Sequence, residues 1–225
     1  MSSSQPASLT IRSVVFDLDG ILIDTEPIFH ESSRRLLAGR NLPFDPTVLQ
    51  RMMGTPGRDA LQIFRDHYQM PETIEELAAI CSRYFYEVLG DRPAPLLPGA
   101  VELLKLLVER GIPRAIATSS SRRYVHRVFE PHGLMKHFSF ILTCDDVQRG
   151  KPAPEVYEKA AAGFGHPPGE MLVLEDSPAG LRAAKSAGAF CVMVPHALVP
   201  RDQLQGADAI VSSLIAPDLL RLIGL

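Results

Sequence analysis

From Pro98 to the C-terminus the chain alternates short apolar runs with amphipathic stretches, and this alternation constrains the fold more than any other feature. The expected helices cover 99–109, 122–132, 154–163 and 177–187. Between them fall expected strands at 114–118, 139–142, 171–174 and 190–194, with a last one at Ala209-Ile210-Val211. Val101, Leu103, Leu104, Leu107 and Val108 carry the spacing of one helix face. Met171-Leu172-Val173-Leu174 is apolar at every position, as suits a strand buried on both faces. Strands that alternate with helices make βαβ units, and these build a parallel sheet covered by helices. Val14-Val15-Phe16, near the other end of the chain, reads as one more such strand.

The stretch between Glu26 and Pro95 breaks this pattern, because it carries helical periods only. Helices are expected at about 27–39, 46–53, 57–68 and 73–89. Thr25 or Asp24 can cap the first, with Pro27 in its first turn. Thr73 and Glu76 have the spacing of a capping box for the last. Phe64, Tyr68, Tyr84, Phe85 and Tyr86 read as the core of a helical bundle in preference to a ligand box. A proline-rich linker from Asp91 to Gly99 closes the segment. The expected architecture is α/β, with a Rossmann-like parallel-sheet core of residues 1–24 and 96–225. A helical-bundle cap of residues 25–95 is inserted after the first strand, where a lid is useful.

At 225 residues the chain has room for one sizeable domain with a modest insertion. Its net charge of -3 gives no basic field for nucleic acid or an anionic membrane. No apolar run approaches membrane-spanning length. Cys81, Cys144 and Cys191 are scattered and odd in number, as expected of reduced thiols in a cytoplasmic protein. Met1 to Ser8 is small and polar, a disordered lead-in with none of the regions of a signal peptide. The expected state is a monomer or weak dimer.

In an open parallel sheet, ligands sit just outside the carboxyl ends of the strands. The first strand stops there at Asp17-Leu18-Asp19-Gly20. Two aspartates and a glycine suit a hard cation such as Mg²⁺, or a nucleophile paired with an acid/base, and equally a plain turn. Other strand ends shift that balance. Strand 114–118 leads into Thr118-Ser119-Ser120-Ser121, which offers either an anion site or simple helix capping. Strand 139–142 leads towards Lys151, fixed between a glycine and a proline. A lysine so placed can hold a phosphate oxygen. Strand 171–174 ends in Glu175-Asp176, a second acidic pair. Gathered together, these carboxylates repel one another unless a divalent cation sits among them. With metal and lysine present, the site suits a dianionic phosphate beside a nucleophilic carboxylate.

With these residues in order, the sequence resembles the haloacid dehalogenase superfamily, in the branch with a small helical cap after the first strand. Phe16-Asp17-Leu18-Asp19-Gly20 with Asp24-Thr25-Glu26 is similar to the family's first motif, and Ser119 (less so Thr118) to its second. Lys151 in Gly-Lys-Pro-Ala-Pro is similar to the third, and Glu175-Asp176 to the fourth. The resemblance implies that Asp17 is the nucleophile forming an aspartyl phosphate and that Asp19 is the general acid/base. It implies that Mg²⁺ is held by Asp17, Asp176, the Asp19 carbonyl and Glu175, directly or through water. Ser119, with Ser120, and Lys151 bind the phosphoryl oxygens on the same grounds. The resemblance also narrows the chemistry. The dehalogenases lack the second aspartate, which is present here as Asp19. The phosphonate-cleaving relatives use a cap lysine, and no lysine stands between Glu26 and Pro95. The β-phosphoglucomutase-like isomerases carry a histidine at the position of Phe29 and a cap lysine near Met53. Hydrolysis is therefore favoured over mutase activity.

The expected activity is that of a Mg²⁺-dependent phosphatase acting on a small phosphorylated metabolite. Specificity is expected in the cap, at Thr25, Glu26 and Arg58, around Glu26 to His30 and Gly54 to Arg58. The seven histidines show no zinc-binding spacing. Arg122-Arg123 reads as an exposed helix start.

Overall fold

The computed structural model describes residues 10–52, 55, 57–195, 199 and 201–225. The N-terminal lead-in, His196, and Met53, Gly54 and Pro56 of the expected specificity loop lie outside the described residues. Six parallel strands form one sheet: β1 (Ser13–Phe16), β2 (Arg114–Ala117), β3 (Ile141–Leu142), β4 (Met171–Glu175), β5 (Phe190–Met193) and β6 (Ala209–Ile210). Their order is β3-β2-β1-β4-β5-β6. β1 and β4 are buried along their whole length, which is why they carry no alternation in the sequence. Successive side chains still part to opposite faces. Val14 and Phe16 join one apolar cluster, and Val15 joins the other.

The helices of the bundle come next in the chain: α1 (Glu26–Ala38), α2 (Pro46–Met52), α3 (Gly57–Tyr68) and α4 (Ile74–Leu89). They bury Leu36, Leu37, Val48, Leu49, Phe64 and Leu77 in an apolar cluster of their own. Thr73 and Glu76 make the expected capping box at the start of α4. Phe64 and Tyr68 lie in the bundle core with Tyr84 packed against it, whereas Phe85 and Tyr86 join the cluster under the sheet. The two connections to the bundle run side by side. Ile23 bridges Leu96, the Asp24 N–H donates to Pro95 O, and the Leu97 N–H donates to Leu22 O.

The remaining helices cover the sheet: α5 (Ala100–Glu109), α6 (Arg122–Val128), α7 (Glu155–Phe164), α8 (Pro178–Ala187) and α9 (Pro217–Leu222). The expected helix 122–132 is shorter than its periodicity, because Pro131 has no N–H to continue it, and a 3-10 turn covers Glu130–His132. The expected strand 139–142 is a regular strand only at its last two residues, at the sheet edge, although Ser139 and Phe140 still hydrogen-bond to β2. α9 has no counterpart in the sequence reading.

Candidate active site

β1 and β4 are neighbours in register, with Phe16 beside Leu174, and the Asp17 N–H donates to Leu174 O at 3.0 Å. This pairing brings the two acidic ends together. Ligand oxygens of Asp17, Glu175 and Asp176 all lie within 4.8 Å of one another. Lys151 reaches them from the loop after β3. Its ammonium donates to Asp17 Oδ1 at 2.7 Å, Glu175 Oε1 at 2.6 Å and Ala117 O at 2.9 Å, using all three of its N–H groups. Nζ also lies 5.0 Å from the centre of the Tyr157 ring.

Glu175 is fully buried and anchors this group. Oε1 accepts from Lys151 and from the Tyr157 hydroxyl at 2.6 Å. Oε2 accepts from the N–H groups of Asp176 and Ser177 and from Ser177 Oγ at 3.1 to 3.3 Å. Ser177 in turn caps α8 through the Gly180 N–H. Two glycines give the acids room. A Cβ at Gly180 would fall inside the Glu175 carboxylate, and one at Gly20, where φ is +78°, would strike Asp176. Gly180, Tyr157 and Tyr124 carry no sequence signal that separates them from ordinary helix residues, and they enter the site through the structure alone.

The hydroxyl run after β2 divides into separate tasks. Ser121 caps α6 by accepting from the Tyr124 N–H. Ser120 Oγ donates to Asp19 Oδ2 at 2.9 Å, and its N–H goes to Thr118 Oγ1. Ser119 is exposed and lines a cavity of about 180 Å³ with Thr118, Cys144 and Lys151. Gly57 of α3 forms part of the same wall, so the bundle reaches the site. Asp19 also accepts from Thr25 Oγ1 at 2.9 Å and Tyr124 OH at 2.6 Å, both on Oδ1. Thr25 stands at the N-cap of α1 as expected but makes no side-chain capping bond, because its hydroxyl is committed to Asp19. The Glu26 carboxylate lies 3.5 Å from His30 Nε2. Arg58 is exposed and pairs with Glu75 of α4. Arg122 is exposed as expected and forms a two-pronged pair with Asp146.

Four carboxylates thus gather near one ammonium, and the Asp17, Asp19 and Asp176 carboxyls are raised, first by burial. Burial pushes the Asp17 carboxyl up to about 7; the nearby Lys151 charge opposes this, and Glu175 adds to it. Burial and then the Glu175 and Asp17 charges hold Asp176 well above the carboxylate range. Asp19 is raised by burial against the pull of its three hydroxyl donors. For Lys151, burial opposes the charged form, but the Asp17 and Glu175 carboxylates outweigh it and the pKa is raised. The Lys151 ion pair lowers the Asp17 carboxyl but does not offset its burial, so Asp17 stays raised. Among the described residues no hydrogen-bond donor reaches the Asp176 carboxylate, and the Lys151 charge does not offset its burial and its acidic neighbours. A half-buried acid with no hydrogen-bond donor of its own, beside two buried ones, all oxygen donors, fits a hard divalent cation.

Residues 14–194 match the profile of the haloacid dehalogenase-like hydrolases, and the chain belongs to that family. It is 37% identical over 184 residues to validoxylamine A 7'-phosphate phosphatase of Streptomyces hygroscopicus subsp. limoneus, covering 80% of this chain and 84% of that one. It is 32% identical over 213 residues to the phosphorylated carbohydrates phosphatase of Thermotoga maritima, covering 92% and 95%. The fold is similar to a crystal structure of CbbY from Rhodobacter sphaeroides in complex with phosphate, with a TM-score of 0.80 and 27% identity over 96% of this chain and 100% of that one. Members of the family generally use a divalent metal. No helix of the described residues is long and apolar enough to cross a membrane.

Proposed function

We propose that the protein is a Mg²⁺-dependent phosphatase that hydrolyses a small phosphate monoester, such as a sugar phosphate, through an aspartyl phosphate on Asp17. The observation that carries this reading is the convergence of Asp17, Lys151, Glu175 and Asp176 on one point beside an independently held Asp19. Asp17 and Asp176 would hold the cation with the Asp19 carbonyl, while Glu175, both of whose oxygens are engaged, supports Lys151 and the turn after β4. When bound, the cation supplies charge neutralisation for the acids and the phosphoryl oxygens. Asp17 Oδ attacks phosphorus, and the bond to the leaving oxygen breaks as Asp19 protonates that oxygen. Asp19 then takes a proton from water as the water oxygen bonds phosphorus and the bond between phosphorus and Asp17 Oδ breaks, freeing the Asp17 carboxylate. Ser119 and Lys151 line the cavity in which the phosphoryl group would sit. Ser120, committed to Asp19, serves the acid/base.

Residues 25–95 act in this reading as a cap domain over the core of 1–24 and 96–225, a division supported by the bundle's separate apolar cluster. Gly57 on the cavity wall supports a specificity role for the adjoining Arg58, together with Thr25 and Glu26 where the chain enters the bundle. Water is the acceptor, since the bundle sequence offers no lysine and has Phe29 where the mutases carry histidine. The test is phosphate release from a panel of sugar phosphates and small esters, with Mg²⁺ and with EDTA. The same samples are assayed for β-glucose 1-phosphate turning into glucose 6-phosphate. Metal-dependent release on a few esters supports the phosphatase; isomerisation with little free phosphate overturns it in favour of a mutase.

A further inference from the structure

Asp19 is held more completely than any role as a bare acid requires. A carboxylate offers about four acceptor positions, and three are filled here by hydroxyl donors from three different elements. Thr25 comes from the connection into the bundle, Ser120 from the loop after β2, and Tyr124 from α6. Two bonds fall on Oδ1 and one on Oδ2, so the remaining position is on Oδ2. The carboxyl plane is fixed, with one oxygen left to face a substrate. The Tyr124 bond is the shortest of the three, at 2.6 Å.

The Tyr124 ring also makes a contact that the other two donors cannot. It packs against Phe85 of α4 with centroids 5.6 Å apart. Phe85 is buried and lies 4.7 Å from Phe29 of α1, which is itself 46% exposed. A line of aromatic rings thus runs from the surface of the bundle through Phe85 to the phenol that grips Asp19. A ring packed in this way moves when its neighbour moves, because close-packed interiors transmit displacement.

We propose that Tyr124 is a positioning residue for the general acid, and that Phe85 of the bundle sets where Tyr124 stands. The inference rests on the phosphatase reading above. Packing of α4 on α6 then aligns Asp19 Oδ2 with the leaving oxygen. Tyr124 keeps its proton throughout. Asp19 gives its proton to the leaving oxygen while the Asp17–phosphorus bond forms, and recovers one from the attacking water when that bond breaks.

Leaving groups of different basicity provide the test, because a good leaving group needs little protonation and a poor one depends on it. The experiment measures kcat/KM, which covers the departure of the leaving group, for 4-nitrophenyl, phenyl and benzyl phosphate with Mg²⁺. It compares the native protein with Tyr124→Phe, Phe85→Leu and Asp19→Asn. Tyr124→Phe keeps the ring and its packing and removes only the hydroxyl. The expected loss is below about threefold on 4-nitrophenyl phosphate and about tenfold or more on benzyl phosphate, part of the 10² to 10⁴ that a general acid supplies. Phe85→Leu is expected to show the same trend at smaller size, and Asp19→Asn the steepest. An equal loss on all three esters in Tyr124→Phe, or none, overturns the proposal, since a merely structural tyrosine has no reason to discriminate leaving groups. A steep trend in Tyr124→Phe with none in Phe85→Leu overturns the link to the bundle. If Asp19→Asn itself shows no trend, the acid role of Asp19 fails, and the proposal falls with the reading beneath it.

Discussion

Asp17→Asn is expected to make the metal-free protein more stable, and the gain should grow with pH. Asparagine copies the shape of the protonated acid and removes the charge that the buried site disfavours. In the folded protein without metal the Asp17 carboxyl is raised from 3.8 to about 7. The folded state therefore binds more protons than the unfolded one across that window, and stability falls as pH rises through it. At about 1.4 kcal/mol per pH unit, the penalty is on the order of 1–2 kcal/mol at pH ~5 and levels off on the order of 4 kcal/mol above pH ~7. For a chain of this size 1 kcal/mol moves Tm by about 2–4 °C, so the variant should melt roughly 10 °C higher at pH ~8 and only a few degrees higher at pH ~5. Thermal unfolding of both proteins in EDTA at the two pH values measures this. Adding Mg²⁺ should close the gap at the higher pH, because ligand binding stabilises the native protein by mass action and the variant has lost a ligand. An Asp17→Asn protein that is no more stable in EDTA at pH ~8, or a gain that does not change with pH, would refute the reasoning.

Gly20→Ala alters no acid, yet its Cβ would strike Asp176 and its φ of +78° disfavours a side chain. Calorimetric titration should find Mg²⁺ affinity reduced at least tenfold, with turnover reduced to match. Every bond the Glu175 carboxylate makes is one it accepts, so Glu175→Gln sets an amide NH2 against buried donors, and each donor left unpaired costs about 1–3 kcal/mol. Urea unfolding of the metal-free protein should show that loss. Thr73→Ala removes the capping box of α4 and should lower stability by about 1 kcal/mol while leaving kcat unchanged. A change in kcat at that remote position would contradict the assignment of the chemistry to the strand ends.

The sheet was legible because strands buried on both faces must be apolar at every position, as Met171 to Leu174 and Val14 to Phe16 are. The acids were legible for the same reason, since Asp17 and Glu175 interrupt those runs at the ends where a parallel sheet places its ligands. Residues 119–121 set the limit. Three consecutive serines are chemically alike on paper, and only the geometry gives one to the cavity, one to Asp19 and one to the α6 cap. Thr25 shows the same thing in one residue, as an N-cap whose hydroxyl a stronger acceptor claims. Tyr124, Tyr157 and Gly180 act through contacts across 105, 18 and close sequence separations that no local pattern encodes. The edge strand and the helix cut short by Pro131 differ in length from their periodicity, which does not say where a partner strand ends or where a missing N–H takes effect.

Trapping the covalent intermediate tests the central claim most directly. The protein is mixed with a substrate ester and Mg²⁺, quenched in acid within one turnover, and reduced with borohydride, which converts an aspartyl phosphate into homoserine. Mass spectrometry of the digested chain then locates the reduced residue. Homoserine at position 17, absent without substrate and absent in Asp17→Asn, is the expected result. Rapid turnover with no reduced residue at position 17, or an active Asp17→Asn protein, would contradict it.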